Sequence, residues 1–335
     1  MTAARRATLV RWAASALYHA GLMRPLSVAV GYARRPRFPI LCYHRVNDDA
    51  DPFFPAVPTA VFERHMAYVA RAFTVMTVDA LVERVRRGRV PRNALAITFD
   101  DGYRDNLTHA APILARHGLP ATVYLTTGLI GTAEVAWFDR MAMGFKTTRL
   151  DAYVTPWRET LPLVTRADRL RALDKMLDYF KRLPDDDMRA SVDRLLATLG
   201  ATDQKCFKDF MLTWDDVHAL TGLGFTAGAH TVNHPILARV SARRAWTEIS
   251  GSRTMIESAI GRAPTAFAYP NGRPEDYTDT VRNLVRDAGF TSAVSTRFGV
   301  NDPGTSLFDL RRGGPWEHDL PTFALKLATY RAAAA

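Results

Sequence analysis

The stretch Ala94–Asn106 reads ALAITFDDGYRDN and changes character halfway. Ala94 to Phe99 is a short apolar, partly β-branched run between Pro91 and Gly102, the pattern of a buried strand. Two adjacent carboxylates, Asp100 and Asp101, follow directly, and Gly102 permits a tight turn after them. Successive residues of an extended chain point to opposite faces, so one carboxylate can face a metal while the other faces a substrate or a water. Two anions so close repel each other unless a cation lies nearby. Alone, the stretch is equally compatible with a solvated Asp-Asp-Gly turn.

Around this strand the chain alternates between short apolar runs and helical periodicities. Phe38 to Val46 (FPILCYHRV) reads as a first core strand ending in Tyr43-His44-Arg45. Thr59 to Ala72 is expected to be a helix with Thr59 as its N-cap, Phe73 to Thr77 a strand, and Val78 to Gly88 a helix. A helix over Arg104 to His117 and a strand over Ala121 to Thr127 follow. After residue 211 the rhythm resumes, with strands at Gly224 to Thr231, Ala266 to Tyr269, Phe290 to Ser295 and Phe308 to Arg312. Helices are expected from Thr213 to Leu220, Ser241 to Ile260, Asp276 to Ala288 and Pro321 to Arg331. Such alternation predicts a parallel α/β sheet or barrel. Residues of about 129–211 break it. Thr165-x-x-Asp168 and a leucine-rich periodicity there predict a helical insertion, without a ligand cluster, that could shape a substrate groove.

The segment GAHTVNH, Gly228 to His234, sets two imidazoles four residues apart beside a strand end. With Asp101 they supply two nitrogens and one carboxylate, a donor set that leaves positions open on a catalytic zinc. All three residues fall where strands end, the ligand face of parallel α/β folds.

TFDDG (98–102) together with His230-Thr231-x-x-His234 resembles the first two motifs of the polysaccharide deacetylases, carbohydrate esterase family 4. The resemblance runs from about Pro39 to Pro315, apart from the insertion. It implies a distorted (β/α) barrel of about seven strands and hydrolysis of N-acetyl groups from an acetylated amino sugar, in a polysaccharide or a lipid-linked glycan. Carried over by position, Asp100 is the general base and Asp101, His230 and His234 bind the metal, zinc or another dication such as Co2+ or Ni2+. The backbone N–H near Tyr103 is expected to meet the oxyanion. Tyr269, Pro270 and Asn271 of the third motif, with Arg311, are expected to contact substrate. Two departures stand out. Ala268 occupies the place of the family's arginine, a role open to Arg311 or Arg312. The late Leu-x-His is missing, since His318 follows Trp316-Glu317. Leu41 to Val46 (LCYHRV) resembles instead the early Tyr-His motif of the exopolysaccharide-modifying branch, making His44 the candidate acid. A catalytically silent carbohydrate-binding relative and a small-molecule amidohydrolase are the alternatives.

The 335 residues carry a net charge of +10, with a hydrophobic fraction of 47%. Seven arginines (Arg5, Arg6, Arg11, Arg24, Arg34, Arg35, Arg37) lie in residues 1–37 with no acidic residue among them. That leaves +3 for the rest, so the body of the protein, residues 38–335, shows no nucleic-acid signature. Trp12 to Met23 is too short to span a bilayer, which takes about 20 apolar residues. It overlaps a secretory signal but lacks a clean cleavage site. An Arg-anchored interfacial helix on an anionic membrane surface is the preferred reading, over packing on the body. The expected location is cytoplasmic, peripheral on the inner face of the membrane, with the periplasm as alternative. Two cysteines, Cys42 and Cys206, are too few for a disulfide framework.

Overall fold

The computed structural model describes residues 3–23, 25–26, 36–201, 207–314 and 317–330. Arg24, Arg34, Arg35, Cys206 and Trp316 lie outside them, as do the side chains of Arg5 and Arg6. The chain opens with helix α1 (Ala3–His19), then β1 (Ile40–Tyr43), α2 (Thr59–Ala72), β2 (Thr74–Met76), α3 (Val78–Arg86) and β3 (Ala94–Phe99). A π-helical turn (Asn106–Ala110) runs into α4 (Ala111–Arg116), followed by β4 (Ala121–Leu125). The insertion comprises α5 (Trp137–Thr147), a hairpin of β5 (Ala152–Val154) and β6 (Thr160–Pro162), α6 (Arg166–Phe180) and α7 (Asp185–Leu199). Then come α8 (Trp214–Gly222), β7 (Phe225–Ala229), α9 (Ala242–Ile260), β8 (Ala266–Ala268), α10 (Asp279–Asp287), β9 (Ser292–Val294) and α11 (Leu320–Tyr330).

Seven strands form one parallel sheet in the order β1-β3-β4-β7-β8-β9, with β2 beside the first half of β3. The sheet curls into a distorted (β/α) barrel. Between β9 and β1 no strand ladder closes it; residues 310–313 do so instead. Leu310 bridges Val294, Arg312 N–H donates to the Arg297 carbonyl, and Gly313 N–H donates to the Ile40 carbonyl at 3.1 Å. The expected strand over Phe308 to Arg312 is thus a strap with a single bridge.

Strand alternation sorts side chains into two layers. Leu41, Ile97, Phe99, Val123, Leu125 and Phe267 pack outward beneath the helices. Ile40, Ala94, Ala96, Ala266, Ala268 and Val294 point into the barrel. Four of these inward residues are alanines, and the room they leave holds two large, fully buried side chains, Tyr124 and Arg312. Gly228 on β7 completes that fit, because a Cβ there would strike the Tyr124 ring. The insertion has a second core around Phe145, Met176, Phe180, Val192 and Leu195.

Local signals decide most helix starts. Thr165/Asp168 and Thr213/Asp216 form capping boxes, and Ser241 caps α9. Thr59 does not cap α2. Asp48 accepts both its N–H and its hydroxyl, so Pro58 holds the cap position and Thr59 begins the helix. The single helix expected over Arg104 to His117 is divided by the π-turn. Pro112 lacks an N–H and cannot follow a regular α-turn without crowding the carbonyl four residues before it.

Helix α1 lies on the body. Ala14 and Met23 are buried in the main core, and the Tyr18 ring sits 6.4 Å from that of Tyr68. Leu9, Val10 and Trp12 face outward, Trp12 with 74% of its surface exposed. No helix among the described residues is long and apolar enough to cross a membrane.

Candidate active site

Asp100 leaves β3 on its inward side and meets Arg312. The guanidinium donates to Oδ1 and Oδ2 at 2.6 Å each, a bidentate pair in which neither side chain is more than 2% exposed. Arg312 also donates to the Ser295 carbonyl and the Thr98 hydroxyl, and lies 5.6 Å from the Tyr124 ring centre. Burial works against ionisation of Asp100, but the guanidinium outweighs it and holds the carboxyl well below the usual range. Cys42 Sγ approaches Asp100 Oδ2 at 3.7 Å, and burial pushes its thiol far up.

Asp101 turns the other way through a left-handed backbone (φ 73°). Its Oδ1 lies 3.5 Å from His230 Nε2 and 3.4 Å from His234 Nε2. Those distances are long for hydrogen bonds, and Oδ1 is buried without a hydrogen-bond partner. Donors about 2.1 Å from a common tetrahedral centre lie ~3.4 Å apart, so the spacing and the orphaned oxygen fit a shared dication. His230 Nδ1 lies 2.8 Å from the Ala268 carbonyl, which can only accept; Nδ1 therefore carries a proton, and Nε2 is the nitrogen turned toward Asp101. Burial, then the neighbouring His230, lowers the His234 pKa to about 3, keeping that imidazole neutral as a ligand must be.

The loop carrying both histidines is strained and pinned. Thr231 (φ 67°) and His234 (φ 55°) are left-handed, conformations costing about 1–3 kcal/mol each. Glu248 of α9, buried, holds the loop by accepting from Val232 N–H, Asn233 N–H and the Asn233 amide at 2.8–3.0 Å. Thr231 Oγ1 accepts from His234 N–H at 3.0 Å.

His44, at the end of β1, places Nε2 4.0 Å from Asp100 Oδ2 with 47% of its side chain exposed. Its loop is fastened by Asp105 and Asn106, the last residues of the opening stretch. Asp105 accepts from Arg45 Nε, Val46 N–H and the Asn47 amide, and Asn106 donates to the His44 carbonyl.

These groups floor a cavity of about 490 Å³. Asp100, Asp101, His230, His234, His44, Tyr103 and Asn271 all line it. Tyr269, Pro270 and Arg311 do not. Tyr269 is buried flat against Tyr277, with its hydroxyl on the Phe308 carbonyl, and Pro270 is buried beside it. Arg311 is one residue out of phase with Leu310 and Arg312, so its side chain lies outside the barrel against Gly299. Arg312 is the arginine that reaches Asp100.

The insertion supplies one wall, with Trp137, Phe138, Asp139, Leu173, Leu177 and Lys181. Sequence reading placed no functional residue there. Asp139 accepts from the Tyr103 hydroxyl at 2.8 Å, and burial raises its carboxyl pKa to about 8. A lone acid directly after Trp137-Phe138 was the signal for it. Glu248 had none, being an ordinary polar position on a long helix.

Two carboxylates and two imidazoles thus converge at the strand ends of an α/β barrel. A polysaccharide deacetylase sequence profile matches residues 87–293. YxkH of Bacillus subtilis (strain 168), which bears a polysaccharide deacetylase name, is 31% identical over 278 residues, covering 82% of this chain and 70% of that protein. Two solved structures share the fold. The Streptococcus pyogenes deacetylase PplD, in complex with acetate, has a TM-score of 0.56 at 18% identity, covering 83% of this chain and 92% of that one. IcaB from Ammonifex degensii has a TM-score of 0.57 at 17% identity, covering 89% and 98%. The chain belongs to the polysaccharide deacetylase family.

Proposed function

We propose that this protein hydrolyses N-acetyl groups of an amino sugar, in a polysaccharide or a lipid-linked glycan, and depends on a divalent cation to do so. The observation that carries the reading is the convergence of Asp101, His230 and His234 beside Asp100, a base kept ionised by Arg312. Zinc, or cobalt or nickel, held by those three side chains would supply Lewis acidity toward the amide carbonyl and toward water. Asp100 takes the proton of the attacking water as its oxygen bonds to the acetyl carbon. Tyr103 N–H, which faces away from its bridge partner Met211, donates to the developing oxyanion. The C–N bond then breaks, and His44 gives the departing amine a proton. The proton on Asp100 can return to His44 through one water across the 4.0 Å between them. Acetate and the free amino sugar are the products.

The test measures metal content and acetate release from chitooligosaccharides, beside a panel of small amides. Asp101→Asn and a His230→Ala/His234→Ala double variant should lose metal and turnover together. Asp100→Asn should keep the metal and lose turnover. His44→Ala should keep the metal and lose about 10²–10⁴ in rate, the usual range for general acid help. Equal metal content in wild type and the double histidine variant would overturn the ligand assignment. Turnover of small amides alone would make the protein a small-molecule amidohydrolase.

We further propose that the enzyme works on the cytoplasmic face of the membrane, held there by residues 1–37. Support comes from the outward Leu9, Val10 and Trp12 of α1, beside an arginine-rich sequence without acids.

A further inference from the structure

Not every cation around the cavity is paired with an acid. Arg45 is paired with Asp105 at 2.9 Å, and Arg312 with Asp100. Two other cations line the same space, Lys181 just after α6 and Arg273 on the loop between β8 and α10. Neither side chain makes a hydrogen bond or an ion pair with any described residue. No acid closes on either of them, although Asp178, Asp276 and Asp174 lie near enough to act on Lys181. Asp276 accepts from the Asn271 amide and from Arg273 N–H, while Asp174 and Asp178 are exposed on α6. Lys181 nevertheless sits partly buried beside Leu177, one helical turn earlier on α6 and also part of the cavity wall. Burial, then Arg273, depresses the Lys181 ammonium, against a smaller opposing pull from Asp178, Asp276 and Asp174.

We propose that Lys181 and Arg273 form an anion subsite, and that the substrate is an N-acetylated glycan bearing a carboxylate or phosphate group close to the acetamido sugar. The inference rests on the deacetylase reading and narrows its substrate. One cation comes from the insertion and the other from the barrel, so the bound anion would bridge the two parts across the cavity mouth. Arg273 offers a planar fork for two oxygens, and Lys181 a compact charge. The acetamide would lie at Asp100 and Asp101, with Trp137 and Phe138 offering aromatic faces to the sugar ring.

The experiment uses the full-length, zinc-loaded protein and three N-acetylated oligosaccharides of equal length: neutral, with a uronate carboxylate, and with a terminal phosphate. Acetate release should favour one anionic compound over the neutral one by at least about tenfold in kcat/KM, mostly through KM. Which anion is preferred identifies the source of the charge. Lys181→Gln and Arg273→Gln should each remove most of that preference, Lys181→Arg should restore it, and added salt should erode it. Equal kcat/KM for all three compounds, or variants that depress all three alike, would overturn the subsite. If none of the three releases acetate, the deacetylase reading fails. Calorimetric binding of the same compounds then decides the subsite: preferential binding of an anion, lost in Lys181→Gln, upholds it, and equal or absent binding overturns it.

Discussion

Asp100 and Arg312 exchange two hydrogen bonds of 2.6 Å where neither touches solvent. Removing one partner of such a pair typically costs about 3–5 kcal/mol, because the other charge stays buried and unpaired. The folded carboxyl titrates below its unfolded value of about 3.9. The pair's contribution is therefore complete above pH ~4 and is lost as pH falls through the folded pKa. In Arg312→Met the largest opposition to burial is gone and only His230 and His44 remain, so the Asp100 pKa should rise and carry the acidic limb of the kcat/KM profile to higher pH. Arg312→Lys should shift it less. A pH profile of acetate release, with thermal unfolding of both variants, checks this; an unmoved acidic limb in Arg312→Met would show that the guanidinium does not tune the base.

Helix α5 brings Trp137, Phe138 and Asp139 to the cavity from outside the barrel's own rhythm. Asp139 binds its proton more tightly in the folded protein than in the unfolded chain, with a folded pKa of about 8. Stability should consequently decline as pH rises from about 4 toward 8 and level off above that. Asp139→Asn should flatten this dependence while keeping an acceptor for the Tyr103 hydroxyl. Denaturant unfolding at pH 5 and pH 8 measures it, and an unchanged slope in the variant would contradict it. At the scale of elements, the barrel strands were legible because each is a short apolar run ending beside a polar motif, and the caps at Thr165, Thr213 and Ser241 because they are local. The π-turn before Pro112 and the role of Thr59 were not, since each depends on a clash or a partner distant from the helix pattern. Asp101, His230 and His234, which converge in the structure, lie in two compact motifs and could be read together. Lys181, Arg273 and Glu248 could not, because only the packing of the insertion and α9 brings them to the site. The choice between Arg311 and Arg312 turned on strand phase, which a one-bridge strap conceals.

Across the whole molecule the first and last described helices meet. Helix α1 packs beside α11, whose Phe323 stacks on His65 of α2 at 3.7 Å between ring centres. Docking uses Ala14 and Tyr18 and leaves Leu9, Val10 and Trp12 outward, so α1 can rest on the body and touch a membrane at once. Each basic residue near an anionic surface contributes about 1 kcal/mol, screened over roughly 8 Å at physiological salt. Full-length protein should co-sediment with anionic vesicles, less so as salt rises, and an Arg5/Arg6/Arg11→Glu variant should remain in the supernatant. Equal sedimentation by a chain starting at Arg35 would assign the contact elsewhere, and recovery of native protein cleaved near residue 30 would indicate export to the periplasm. The strap that closes the barrel also sets an order in time. Asp100 precedes Arg312 by 212 positions, and both histidines likewise precede it. During synthesis the ribosome therefore releases Asp101, His230 and His234 before the guanidinium that pairs with Asp100. A nascent chain thus presents its Asp and His side chains before the residues that seal the seam between β9 and β1 have emerged.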